Sequence, residues 1–305
     1  MLAGIVSTDR NFPGRFTFLL SVFFLLQIVT GHVHAHLYSE QALKRIETVY
    51  GANIRGVLYE DVAPYLTTSE AESLSEITLT FPYPDPEYKS QKVGLRPPDV
   101  FGFSMNLDTG VMRFPLEAIK FFDDLALAFA WYEHQQKDPT PIAEYVVRLH
   151  AGDAPAGTPL SVLNVPEDAW KQSAYVDDVS QQTLKSGLTF LLLHELAHWH
   201  FNHQSYDEIT HGAAQQQEAK ADAFALDVMA RMKTPPYGMV IWFLATSWVT
   251  PDRATTHPLS SDRLVAIAES LEESPSRFIS FENRHTLKEA DIRKLALDIR
   301  HIASQ

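Results

Sequence analysis

Leu191-Leu192-Leu193-His194-Glu195-Leu196-Ala197-His198 closes an apolar run with two imidazoles one helical turn apart and a carboxylate between them. Residues i and i+4 share a helix face, so His194 and His198 reach one metal ion, while Glu195 projects about 100° away, toward a water beside it. The flanks supply the helix that this geometry needs. From Gln181 to Phe201 there is no proline, the one glycine is Gly187, and Leu184, Leu188 and Leu191 form a stripe that leads into His194 and His198. The stretch reads as a zinc site with its own base on a rigid, core-packed helix.

Zinc in a catalytic site takes three protein ligands and leaves one position open, so a third ligand must come from elsewhere. A metzincin pattern would put glycine at position 201 and histidine at position 204; those positions hold Phe201 and Gln204, with His203 one residue out of register. A second helix is predicted from about Ala213 to Met232, and on it Glu218 and Asp222 are again four apart. One of them can ligate zinc while the other accepts a hydrogen bond from the far nitrogen of a ligating imidazole. Two solvated carboxylates near Lys220 is the competing interpretation, but the small residues Ala219, Ala221 and Ala223 around both acids suit a packed interface better. Further on, Thr256-His257-Pro258-Leu259-Ser260-Ser261-Asp262-Arg263 puts a His-Pro turn before a helix. His257 and Arg263 entering the cleft would steady the anionic intermediate of carbonyl attack. Taken singly, the first is an ordinary loop histidine and the second an ordinary surface charge.

These blocks, in this order, resemble the gluzincin metallopeptidases: HExxH, nineteen residues, then ExxxD. The resemblance implies zinc held by His194, His198 and Glu218, with Asp222 orienting a ligating histidine, His194. The finer texture is similar to the HtpX-like and CAAX-prenyl-endopeptidase group, in which HExxH is followed by a further His, then E-x-x-A-D, then His-Pro and an Arg. Here those are His194 to His198 with His203, Glu218 to Asp222 with Ala221, and His257-Pro258 with Arg263. The chain departs from that group's integral members in lacking their several transmembrane helices. Lit-type phage-exclusion peptidases also carry HExxH in a chain of this size and are the nearest alternative.

Arg10 and Arg15 precede an apolar run from Phe16 to Val29, and Val33-His34-Ala35 then offers a cleavage site. Residues 1–35 thus read as a secretory signal, or as an N-terminal membrane anchor through 16–29, which places the site in the periplasm or outside the cell. The chain has no cysteine, which is compatible with export and excludes thiolate ligands. A net charge of −13 makes a poor nucleic-acid partner; a protein or peptide substrate is expected instead.

Residues 36–305 read as one α+β domain, zincin-like and mostly helical with a small sheet, in two parts: 36–150, and a helical catalytic part at 167–305. Helix is expected over Ser39–Tyr50, strands over Ile54–Tyr59 and Ile77–Phe81, and a loop at the proline cluster Pro82–Pro86. Phe101–Met105 and Val111–Phe114 flank Asn106, Asp108 and Gly110 and read as a hairpin, either one that pairs with substrate or an ordinary core hairpin. Leu116–Gln136 is a core helix, 151–166 an internal boundary, Tyr237–Trp248 a buried helix too short to span a bilayer, and Ser261–Glu272 and Leu287–Ile302 two closing helices. His32, His34, His36, His200 and His211 read as bystanders.

The expected activity is zinc-dependent endopeptidase chemistry with Glu195 as base. A zinc-binding chaperone or binding module, a Lit-like peptidase specific for one partner, and a coincidental HExxH in a structural helix pair are the alternatives.

Overall fold

The computed structural model describes residues 37–84, 100, 102–151, 157–246, 261–280 and 287–304. The candidate signal, the end of the proline cluster, the tip of Tyr237–Trp248 and His257 lie outside the described residues.

Eleven helices are described: α1 Glu40–Gly56, α2 Thr68–Glu76, α3 Leu116–His134, α4 Thr140–Ala151, α5 Pro159–Val162, α6 Ala169–Gln172, α7 Ala174–His200, α8 His211–Arg231, α9 Tyr237–Thr246, α10 Ser261–Glu273 and α11 Glu289–Ala303. With them goes one small sheet of β1 Thr78–Thr80, β2 Ser104–Asn106 and β3 Val111–Arg113. The mostly helical α+β expectation holds at this level.

One expected element is wrong. Ile54–Tyr59 is not a strand: α1 runs through Gly56 and continues as a wider, π-type turn over Val57–Val62. The β-branched and aromatic residues there suggest a strand, but Ile46, Ile54, Leu58 and Val62 are spaced in multiples of four and are all buried, so burial of one helical face overrides local propensity. α4 has no counterpart among the elements expected from the sequence.

The hairpin forms as expected. β2 pairs antiparallel with β3, Met105 opposite Met112, and Asn106 Oδ1 accepts from the backbone of Asp108 and Thr109. Gly110 closes the turn at φ +66°, a left-handed conformation that favours glycine. β1 adds parallel to the other side of β3, with Leu79 opposite Met112, so β2 is an edge strand and lies beside α7.

α7 is the central element. It buries residues on all sides from Ser186 to His198 against α3, α8 and α9, which is why its sequence is apolar around most of its circumference. The crossing with α9 is a backbone contact: a Cβ on Gly238 would sit 2.0 Å from the Thr183 carbonyl oxygen, and one on Gly187 would sit 2.3 Å from the Phe122 ring. Gly238 N–H also donates to Ser186 Oγ at 2.8 Å. α8 packs on α7 and buries Ala221, Ala225 and Met229, and α10 packs on α8. Small side chains at that interface bring the acids of α8 close to the histidines of α7. Among the described residues no helix is long and apolar enough to cross a membrane.

Candidate metal centre

His194, Glu195 and His198 lie on the buried side of α7, 1–4 % exposed. Glu218 and Asp222 face them from α8, 0 % and 2 % exposed. The solvated-carboxylate interpretation is therefore excluded. Lys220, between the two acids in sequence, turns away and sits over the Phe201 ring, 3.7 Å from its centroid.

Ligand atoms of three residues converge. His194 Nε2 and His198 Nε2 are 3.1 Å apart; Glu218 Oε2 is 3.4 Å from the first, and Glu218 Oε1 is 3.3 Å from the second. These residues form the metal-competent cluster of the described chain. Two imidazole nitrogens and a carboxylate suit a borderline divalent metal.

Behind the three ligands stands another layer. Asp222 Oδ1 faces His194 Nδ1 at 2.9 Å. Arg263, from the first turn of α10 and 5 % exposed, donates to Asp222 through Nε at 2.7 Å and Nη2 at 2.9 Å, and lies 2.8 Å from Glu218 Oε2 through Nη1. Its guanidinium thus spans both buried acids of α8. His203 brings Nδ1 to 2.8 Å from His198 Nδ1, and the Tyr206 hydroxyl donates to Glu218 Oε1.

The charges explain the proton affinities. Burial alone would lower His194, but Glu218 and Asp222 outweigh it and push it up to about 10. Burial lowers His198, only partly offset by Glu218. Burial would raise Asp222, but Arg263 and His194 hold it below the usual carboxylate range. His203 is lowered to about 4 by burial and by the neighbouring His198 and Lys220. Tyr206 is raised by burial and by Glu218, so its phenol stays a donor.

Residues 156–281 match the family model Peptidase U49. That peptidase family is Lit-like, and its match together with the His-His-Glu cluster fits a metallopeptidase. The matched stretch runs from just before α5 to just past the short helix Pro275–Phe278, so it takes in α7, α8 and α10 and each residue of the cluster. Neither a curated protein nor a solved structure matches the chain.

His194, Glu195, His198, Glu218, Asp222 and Arg263 are thus brought together. Tyr206 is new: nothing in its sequence setting singled it out, because it sits in an aperiodic connector. The sequence marks His203 by its spacing alone and gives it no role. Of the bystanders, His200 accepts or donates to Ser73 Oγ at 2.9 Å and ties α7 to α2.

Proposed function

We propose that this protein is a zinc endopeptidase in which His194, His198 and Glu218 hold the metal. One observation carries the reading. Zinc bonds of about 2.0–2.1 Å in a tetrahedral site set the ligand atoms about 3.3 Å apart; here the two Nε2 atoms are 3.1 Å apart, and each lies 3.3 or 3.4 Å from a different oxygen of the Glu218 carboxylate. Bound zinc would lower the pKa of a water and polarise the scissile carbonyl.

Glu195, one residue from His194 and off the ligating face, takes the proton of the attacking water and delivers it to the leaving amine. Asp222 fixes the plane and tautomer of His194. Arg263 holds Glu218 and Asp222 in register, a different task from the oxyanion contact expected of it with His257. The edge strand β2, beside α7, is the place for an extended substrate to add by backbone pairing.

The test is cleavage of an unfolded protein by the purified enzyme and by Glu195→Gln, with zinc content measured in both. Stoichiometric zinc in both and cleavage only in the parent is the expected result. Zinc in both without cleavage in either would replace this reading with a binding module, or with a Lit-like enzyme confined to one partner, which the Peptidase U49 match favours as the second reading. Absence of zinc would end it.

Residues 10–35 further support export, with a charged segment, an apolar run and a Val-x-Ala site. Exported protein beginning at His36 is the expected product. Intact protein recovered from the cytoplasm would refute this.

A further inference from the structure

The two ligating histidines are held from behind by different chemistry. His194 presents Nδ1 to an anion, Asp222. His198 presents Nδ1 to another imidazole, His203, at 2.8 Å. His198 turns Nε2 toward the cluster, 3.1 Å from His194 Nε2 and 3.3 Å from Glu218 Oε1. For that nitrogen to offer a lone pair to a metal ion, neutral His198 must carry its proton on Nδ1. The nitrogen opposite must then accept it. His203 has to be neutral, with its own proton on Nε2. That Nε2 is buried and has no partner among the described residues, so no competing contact there dictates a different tautomer.

We propose that His203 is a positioning residue of the metal centre, the acceptor that fixes the tautomer and ring plane of His198 as Asp222 does for His194. The inference rests on the metal-centre reading above.

Local backbone chemistry builds the contact. α7 ends at His200, and Asn202 adopts a left-handed conformation at φ +50°. Asn202 N–H returns to the Trp199 carbonyl and His203 N–H to the His198 carbonyl, both at 3.0 Å, an αL helix stop that folds the chain back beneath its own last turn. The His203 ring consequently meets the His198 ring edge-on, centroids 4.8 Å apart at 77°. The connector is then pinned to α8: Gln204 N–H donates to Gln217 Oε1 at 2.7 Å, and Gln217 Nε2 donates back to the Gln204 carbonyl at 2.9 Å. His203 is therefore held on both sides rather than swinging with a loose loop.

Charge explains why an imidazole suits this place. Glu195, Glu218 and Asp222 are three carboxylates against one guanidinium, and a divalent ion brings the buried group to neutrality. A third-party carboxylate at position 203 would add an unbalanced buried charge, whereas a neutral acceptor orients His198 without one.

The test uses the full-length protein and reads zinc affinity by chelator competition, with the absorption spectrum of the cobalt-substituted protein as a report on ligand geometry. His203→Asn keeps an acceptor oxygen near the Nδ1 position; His203→Leu keeps bulk without an acceptor; His203→Gln keeps polarity but moves the oxygen to the Nε2 position. Loss of the partner should weaken zinc binding about 10–100-fold in the Leu and Gln variants, with an altered cobalt spectrum, while Asn stays close to the parent. Equal affinity in parent and Leu, or equal loss in Asn, Leu and Gln, overturns the proposal. If Leu does not fold, as thermal unfolding of the metal-free protein would reveal, the Asn and Gln comparison decides. A parent that binds no zinc removes the metal-centre reading itself, a result distinct from a parent that binds zinc and a set of variants that bind it equally well.

Discussion

Arg263 Nε and Nη2 meet Asp222 Oδ2 and Oδ1 at 2.7 and 2.9 Å, so the carboxylate that faces His194 is clamped by a side chain 41 residues further along the chain. The third guanidinium nitrogen lies 2.8 Å from Glu218. All three groups are buried. Removing the cation leaves two buried carboxylates with only the protonated His194 to offset them in the metal-free protein, and breaking a buried pair from one side costs about 3–5 kcal/mol. Arg263→Met is expected to destabilise the metal-free protein by that order and to loosen zinc binding. Arg263→Lys restores the charge without the planar fork and should recover only part of the loss. Urea unfolding with and without zinc reads both; an Arg263→Met variant as stable as the parent would show that the clamp does not matter.

Gly238 lets α9 touch α7 backbone to backbone. A methyl group there meets the Thr183 carbonyl oxygen and Gly187 N at 2.0 and 2.5 Å, atoms of a helix that cannot step aside singly. Gly238→Ala should therefore cost about 1–3 kcal/mol, the usual range for overpacking, despite the higher helix propensity of alanine. The denaturation midpoint checks it, with Gly212→Ala on α8, where a Cβ meets nothing within 4 Å, as the comparison. Equal midpoints for the two variants would mean that the helices separate at little cost.

Tyr206 donates its hydroxyl to the oxygen of Glu218 nearer His198. Tyr206→Phe keeps the ring and removes one hydrogen bond to a buried carboxylate, a change worth about 1–3 kcal/mol. The expected outcome is a folded protein that binds zinc about tenfold more weakly, the lower end of what an outer partner contributes. Isothermal titration against a zinc buffer would reveal it, and unchanged affinity would reduce Tyr206 to a packing residue.

What could be read from the chain depended on periodicity. His194 and His198 announce themselves because i and i+4 share a face, and the same spacing ties Glu218 to Asp222 on α8. Asn106, Asp108 and Gly110 marked the hairpin because a turn has side-chain and φ requirements that few residues meet. The segment Ile54–Tyr59 misled because its residues favour a strand locally, while the surface that buries every fourth one belongs to distant parts of the chain. His203 and Tyr206 had no such signature. Their positions follow from a left-handed stop at Asn202 and from a pair of hydrogen bonds to Gln217, neither of which leaves a period in the sequence.

The proton that the cluster retains without metal sets its pH response. His194 ordinarily titrates near 6.5; burial disfavours its charged form, but Glu218 and Asp222 raise it to about 10. The folded state then binds that proton more tightly than the unfolded chain does. The stabilisation is complete below about pH 6.5 and is lost as pH rises through about 10. His198, lowered by burial, acts in the opposite window, opposing folding as pH falls below its ordinary value. Metal-free protein should therefore lose stability steadily from neutral pH to about 10. Zinc replaces the proton on His194, so zinc binding should release a proton at neutral pH and tighten as pH rises through the same window. Chemical denaturation in chelator at a series of pH values, on the parent and on His194→Gln, isolates the effect from lysine and tyrosine titration. Parallel profiles for the two proteins would show that His194 does not hold the proton, and a flatter profile for His194→Gln would show that it does.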